Sequence, residues 1–429
     1  MRCKNSFFWL LLLLVAYLPW QIALNLTPDI DLMSGRVLLL GLFFFWLIVE
    51  FYQKRIKVRN FFADKTALAL AVFFLLAAAS IFTADNQIWG WRKLLVFISI
   101  FPLFWLTRFL ASQEKERRIL INVIIGGAAL AALVALAQFG AQFIFGSEAV
   151  MNFWAGKITP LFSGASFGAL VATNPSWLVE VSGQTLLRAM GLFPDPHMLS
   201  FYLGLVFPFA LARLFFEKKF RWLLFTVNCL LLTVLLLTFS RGGYLGLLAS
   251  LAVFGTLGWR YFGRLAKKFL AVGFLLALII LLLVGWPVVA RLGDSFNLTE
   301  GSNLGRLAIW QDSWGVIKKN PIVGVGLGNY PAVINFGGVY RSAITSHNLY
   351  LDIWAEMGIF SLLAWLALIF TAAKKALKAR NQNPIVALGV LSSLAYFSSH
   401  SFFETAIFNP TVLAFLMIVL GLAVVEDES

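Results

Sequence analysis

Long apolar runs govern what this chain can fold into. Stretches such as RWLLFTVNCLLLTVLLL, residues 221–237, recur along its whole length. A run of about 20 apolar residues crosses a hydrocarbon core roughly 30 Å thick, because a helix rises about 1.5 Å per residue. In lipid no water pairs the backbone, so each run must be a helix that satisfies its own N–H and C=O groups. The hydropathy pattern predicts twelve spans, at 7–24, 37–52, 66–82, 92–110, 119–145, 198–216, 221–238, 243–258, 267–288, 346–373, 384–402 and 406–425. Composition agrees: 60% of residues are hydrophobic and only 13% charged, where a soluble domain carries roughly a quarter charged. The expected fold class is an all-α polytopic membrane protein, a single membrane domain over 1–429 with about 12 transmembrane helices.

The net charge of +14 is explained by its placement. If the N-terminus is cytoplasmic, the inner segments (1–6, 53–65, 108–118, 213–221, 260–268 and 374–380) hold 23 of the 34 Lys and Arg residues. Such an excess marks the cytoplasmic side, and an even number of spans returns the C-terminus there. The basic balance is topology, and no nucleic-acid partner is expected. The first apolar run is followed by the bulky YLPWQIALN rather than a small-residue cleavage site, so it is expected to stay as an anchor. Cys3 and Cys229 lie in unrelated contexts and are expected to do no chemistry.

Inner loops such as EKKFR and KKALKARNQN are short and basic, leaving no cytosolic domain for a nucleotide. Two long outer loops are expected instead, at 146–197 and 289–345, rich in Trp, Gly and Pro. Loops of this length are usually functional or disordered, and aromatic content argues against disorder. A secondary transporter would place its sites at the midplane on repeated, broken helices. Here most charges sit at span ends and no sequence repeat is evident, which favours a site at the outer membrane surface. An enzyme there has no ATP, so its energy must arrive in the substrate. A lipid-borne, phosphate-activated donor meets that need.

Four arginines and one histidine stand out. Arg241 lies in TFSRGGYLG, where Gly242 and Gly243 permit a tight reversal. It is either a cation at a helix C-terminus or a guanidinium placed to clamp phosphate oxygens. Arg306 lies in GSNLGRLAIWQDSWGVIKKNP, whose Leu307, Trp310, Trp314 and Ile317 describe an amphipathic helix near 303–319, lying at the interface against lipid or the bundle. In its first turn the dipole favours an anion beside Arg306 over the cation alone; a solvated surface Arg is the alternative. Arg188 precedes a helix start with Asp195 as N-cap and Pro196 at the first position, and is either an anion contact or an interfacial anchor. Arg341 is similar. His197, in that first turn, is expected to be structural. VGVGLGNY lacks the last glycine of a dinucleotide fingerprint and is expected to be a flexible turn. Asp29-Ile30-Asp31 has a spacing that can hold a divalent metal through carboxylate oxygens, a weak three-residue match against which capping and loop solvation are the plainer roles.

TSHNLYLDIWAEMG, 345–358, contains one of only three histidines. Thr345 or Ser346 is expected to cap a helix beginning near His347. On that helix Asp352 and Glu356 would fall about 140° and 180° from His347, while Leu351, Trp354, Gly358 and Ser361 fall within about 40°. The acids therefore cannot share a metal with this His from the same helix. Gly358 permits close packing, and the imidazole is free to accept a hydroxyl proton near neutral pH.

SRGG with Arg241, the loop carrying GRLAIWQDSW and NPIVGVGLGNY, HNLYLDIWAEMG and the twelve-span layout together resemble the O-antigen ligase family, over most of the chain. His347, Asn348 and Gly358 fit its most specific motif; Ser361 departs from the Gly, Thr or Tyr usual there. The resemblance implies a C-type glycosyltransferase-like helical fold with a large helical outer loop. It implies transfer of a glycan from an undecaprenyl-diphosphate carrier to a hydroxyl on a glycan, lipid or protein acceptor, with no metal or other cofactor. It further implies that Arg241 and Arg306 hold the diphosphate, that Arg188 assists, and that His347 acts as base or orients the acceptor. The expected location is the inner (cytoplasmic) membrane, termini inside and site outward. A polysaccharide polymerase of the same family and a non-catalytic polysaccharide or lipid exporter are the competing readings.

Overall fold

The computed structural model describes residues 2–27, 30–54, 61–165, 167, 175–181, 183–263, 301–334 and 345–425. The expected span 267–288, Arg341 and Asp29 lie outside them. Within them, seven helices are long and apolar enough to cross a membrane, and four shorter apolar helices accompany them. The protein is an all-α polytopic membrane protein, and each of the other eleven expected spans corresponds to one or more of these helices.

In chain order the elements are α1 (Arg2–Tyr17), a β1–β2 hairpin (Ala23–Thr27, Ile30–Met33), α2 (Ser34–Tyr52), α3 (Lys65–Ser80), α4 (Gln87–Ile100), α5 (Pro102–Leu110), α6 (Glu114–Phe145), α7 (Ser147–Phe153), α8 (Thr159–Phe162), a β3–β4 hairpin (Leu178–Val181, Gln184–Leu187), α9 (Pro196–Phe216), α10 (Arg221–Leu237), α11 (Arg241–Gly258), α12 (Gly301–Lys319), α13 (Tyr330–Ile334), α14 (Leu349–Ala379), α15 (Pro384–His400) and α16 (Pro410–Ala423). Three helix starts are spelled by an acid or amide followed by proline. Asp195, Asn383 and Asn409 each accept a backbone N–H from the first turn, at Met198, Val386 and Val412, and the prolines fill the position whose N–H has no partner in any helix. The expected span 92–110 is broken in two, because Pro102 has no N–H to continue α4 and opens α5 instead.

Burial sorts the helices into layers. Of the most apolar stretch of α9, 83% is buried, against 22% for α2, so α9 is central and α2 faces lipid. Every residue of α16 from Thr411 to Ala423 is buried. At 14 residues this helix is only about 21 Å long, a length tolerable because protein, not lipid, surrounds its ends. Small residues bring α9, α11 and α15 together. A Cβ added to Gly204 would lie 2.1 Å from the Tyr396 ring, and one on Gly389 would lie 2.3 Å from the Phe209 ring, so each glycine leaves room for an aromatic from the facing helix.

α14 carries a kink that decides the shape of one end of the bundle. Gly358 sits at φ 78, ψ 174 inside the helix, a conformation open essentially to glycine alone. A Cβ there would lie 1.9 Å from the carbonyl oxygen of Ile322. The kink admits the segment after α12: Ile359 N–H donates to Pro321 O at 3.1 Å, Val325 N–H to Ala355 O at 2.9 Å and Gly326 N–H to Glu356 O at 2.9 Å. Gly358 thus serves a close backbone approach, not only helix packing. The 324–329 stretch, expected as a flexible turn, is buried but for the half-buried Val325. Its Asn329 amide exchanges hydrogen bonds with the backbone of Asn86, and Gly328 N–H donates to the Glu356 carboxylate, which Lys93 also grips at 2.8 Å.

α12 packs on α14. Trp314 stands edge-on to Trp354 at 5.5 Å, the Ser313 and Tyr330 hydroxyls bond at 2.6 Å, and Val316 and Ile317 are buried with Ala355. Of the two surroundings expected for this helix, the bundle is the one observed. At the opposite end of the bundle, Lys375 pairs with Asp64 at 2.6 Å, and Arg118 and Arg213 both pair with Glu217.

Candidate functional site

Four helix termini meet at the end of the bundle that α12 covers. α9, α11 and α14 begin there and α15 ends there, joined by side-chain hydrogen bonds. Ser240 caps α11 by accepting the Gly243 N–H, and its hydroxyl lies 2.9 Å from His197 Nδ1 and 3.0 Å from His400 Nε2. Four residues past His400, Glu404 closes on His347, with its carboxylate oxygens 3.2 and 3.1 Å from Nδ1. All three histidines of the chain therefore converge here. Three helix N-termini present partial positive charge to the same region, which favours an anionic ligand.

His347 is not in a helix. It lies at φ 48, a left-handed conformation in which His, Asn and Asp are enriched among non-glycine residues. The helix begins at Leu349, capped by Asn348, whose Oδ1 accepts the Tyr350 and Leu351 N–H groups. Thr345 and Ser346, expected as caps, do other work: Thr345 Oγ1 accepts the His347 N–H, and Ser346 donates its N–H to Asp352 while its hydroxyl proton is shared between Asp352 and Asn348 O. The helical projection of His347 therefore does not apply. Its carboxylate partner comes from elsewhere in the chain. Asp352 and Glu356 are indeed not bonded to it, because Asp352 is held by Ser346 and Thr405 and Glu356 by Lys93 and Gly328. Asp352 joins the loop before α14 to the loop after α15. Leu349 N–H also donates to Ser401 O at 2.9 Å, so His347 and Glu404 are carried on two strapped segments.

The electrostatics follow from this pairing. The Glu404 charge raises the His347 imidazole above its ordinary value of 6.5, outweighing burial, which pulls it down. Burial alone would push the Glu404 carboxyl up, but the His347 charge and hydrogen bond hold it well below the ordinary carboxylate range. Nearby Asp195 is pushed up to about 6 by burial and by the Glu404 charge.

The arginines lie at the same end of the bundle, and of them Arg306 is the one whose charge reaches His347. Arg306 lies in the second turn of α12, since the helix starts at Gly301 rather than near Asn303, so the first-turn dipole argument loses its force. It shares a helix face with Trp310 one turn on, whose indole N–H donates to Ser346 O at 3.0 Å. Arg241 is the buried first residue of α11, not a cation at a helix C-terminus. The reversal is made by Phe239, at φ 48. Gly242 and Gly243 belong to the helix, where added Cβ atoms would meet His400 at 2.6 Å and Ser200 Oγ at 2.2 Å. Arg188 directly follows β4 and is buried, donating from Nε to Thr238 O at 2.7 Å and from Nη1 to Ser176 O at 2.8 Å. Arg188 and Arg306 both lie within electrostatic reach of His197 and His400.

Sequence reasoning missed Glu404, Ser240 and His400. The signal for Glu404 was modest: a lone carboxylate in SFFETAIFNP, between two apolar helices at the same end as His347.

An apolar helix bundle with its histidines, a carboxylate and several arginines gathered at one end is a multi-pass membrane protein with a polar cluster at one end of its helices. A family model described as O-Antigen ligase matches residues 226–366, about a third of the 429-residue chain, and the match includes Arg241, Arg306 and His347. Over those residues the chain is similar to the O-antigen ligase domain, the family that its motifs resemble, and the match covers a third of the chain rather than most of it. No curated protein matches it.

Proposed function

We propose that this protein is a glycosyltransferase of the cytoplasmic membrane. It moves a glycan from an undecaprenyl-diphosphate carrier to an acceptor hydroxyl, independently of metal, with both termini inside and the site outward. The observation that carries the reading is the His347–Glu404 pair, set among three helix N-termini with Arg306 in reach. The acceptor oxygen attacks the anomeric carbon of the donor sugar while its proton passes to Nε2 of His347, the nitrogen that does not face Glu404. The bond from that carbon to the diphosphate oxygen breaks, and the diphosphate leaves with the electron pair. Glu404 orients the imidazole and stabilises the imidazolium it becomes, as a carboxylate behind a catalytic His generally does. Charge grows on the leaving diphosphate, and Arg241 and Arg306, with Arg188 assisting, are the fixed cations that stabilise it.

The test is transfer by purified protein from an undecaprenyl-diphosphate-linked glycan with a chelator present. His347→Ala should lose about 10²- to 10⁴-fold in rate. Full activity in that variant, or loss of activity on chelation, overturns the mechanism. Glycan lengthening on the carrier, rather than emptying of it onto another acceptor, would identify a polymerase. Flux across proteoliposomes that survives removal of both Arg241 and Arg306 would identify an exporter.

A further inference from the structure

The chain His197–Ser240–His400 is the strongest feature that this mechanism leaves unused. We propose that His197 donates a hydrogen bond from Nε2 to a phosphoryl oxygen of the lipid diphosphate; the ligand rests on the functional reading above, whereas the position of the proton does not.

Ser240 fixes that proton by counting. A hydroxyl offers one proton and two lone pairs, and one lone pair takes the Gly243 N–H at 3.2 Å. Of the two imidazole nitrogens facing Ser240, only one can therefore bring a proton. Ser240 must give its own to the other. Two arrangements satisfy this, and His400 distinguishes them. Its ring is fully buried and stacked on Phe201 at 3.7 Å, and its Nδ1 has no partner among the described residues. If Ser240 donated to His400 Nε2, the proton of that ring would sit on Nδ1 as a buried N–H with no acceptor, the costlier kind of orphan. His400 therefore donates from Nε2 to Ser240, and Ser240 donates to His197 Nδ1. The proton of His197 is left on Nε2.

His197 is the member of the chain that is not fully buried, and its Nε2 makes no hydrogen bond among the described residues. It lies in the first turn of the 21-residue α9, with Arg188 and Arg306 in electrostatic reach and Glu404 and His400 also facing it. A preset N–H donor at the positive end of a helix suits a phosphate oxygen. A metal ion would need the reverse, a bare nitrogen.

With three histidines in the chain, ¹⁵N-histidine labelling in lipid nanodiscs resolves each ring by NMR. The His197 ring should carry its proton on Nε2, and that signal should move when undecaprenyl diphosphate is added. His197→Ala should weaken binding of this lipid about ten- to hundredfold, the worth of one hydrogen bond to a charged group. His197→Gln, which keeps an N–H, should recover part of it and serves if the Ala variant does not fold. A proton on Nδ1, or unchanged affinity in His197→Ala, overturns the proposal and leaves the functional reading standing. Failure of the unaltered protein to bind undecaprenyl diphosphate overturns the functional reading and the ligand named here together.

Discussion

At the scale of residues, the site is built by partners that are far apart in sequence. His347 and Glu404 are 57 positions apart, and Ser240 and His400 are 160 apart. The pairing has a measurable sign. His347 must be deprotonated to accept a proton, and Glu404 raises its pKa above 6.5, so the acid limb of kcat/KM should lie above pH 6.5. Glu404→Gln removes the charge while burial still acts downward. The limb should then move to lower pH and the plateau should fall, as the imidazole loses its orienting carboxylate. A limb that does not move in Glu404→Gln would sever His347 from Glu404. His347 was legible as a candidate because histidine is rare in this chain. Its partner was not, because a lone acid carries no sign of which loop it will face.

At the scale of elements, the kink in α14 is the most exacting feature. Gly358 holds a backbone conformation that costs another residue about 1–3 kcal/mol, and a Cβ there would also strike the Ile322 carbonyl. Gly358→Ala should therefore lower the thermal unfolding midpoint in detergent and release the 321–326 segment to amide hydrogen exchange. Unchanged protection of Val325 and Gly326 would mean that the kink does not depend on glycine. The sequence marked this glycine through the motif but misjudged its use, because periodicity describes one helix and cannot foresee another segment's backbone entering it. α12 makes a related point. The pattern of Trp310, Trp314 and Ile317 located the helix within two residues of its start, yet could not choose between lipid and protein as the surface it covers. Trp310 to Ser346 and Ser313 to Tyr330 made that choice.

At the scale of the whole molecule, the bundle separates its charges by end. Arg117, Arg118, Arg213 and Lys375 gather at one end, whereas His347, Glu404 and Arg306 lie at the other. If the first end is cytoplasmic, as Lys and Arg placement predicts, an impermeant thiol reagent applied to intact cells should label a cysteine at Glu148 and not one at Lys218, in a background lacking Cys3 and Cys229. The opposite pattern would invert the topology and turn the site inward. The apolar runs by themselves determined the helices and their approximate number, because in lipid each helix must satisfy its own backbone and its signals are local in the chain. Only the tertiary structure decided that Arg241 opens a helix rather than closing one, that Gly358 admits a backbone and that Glu404 faces His347. Those outcomes depend on which helices pack side by side, and hydrophobicity, nearly uniform around these helices, carries little information about that.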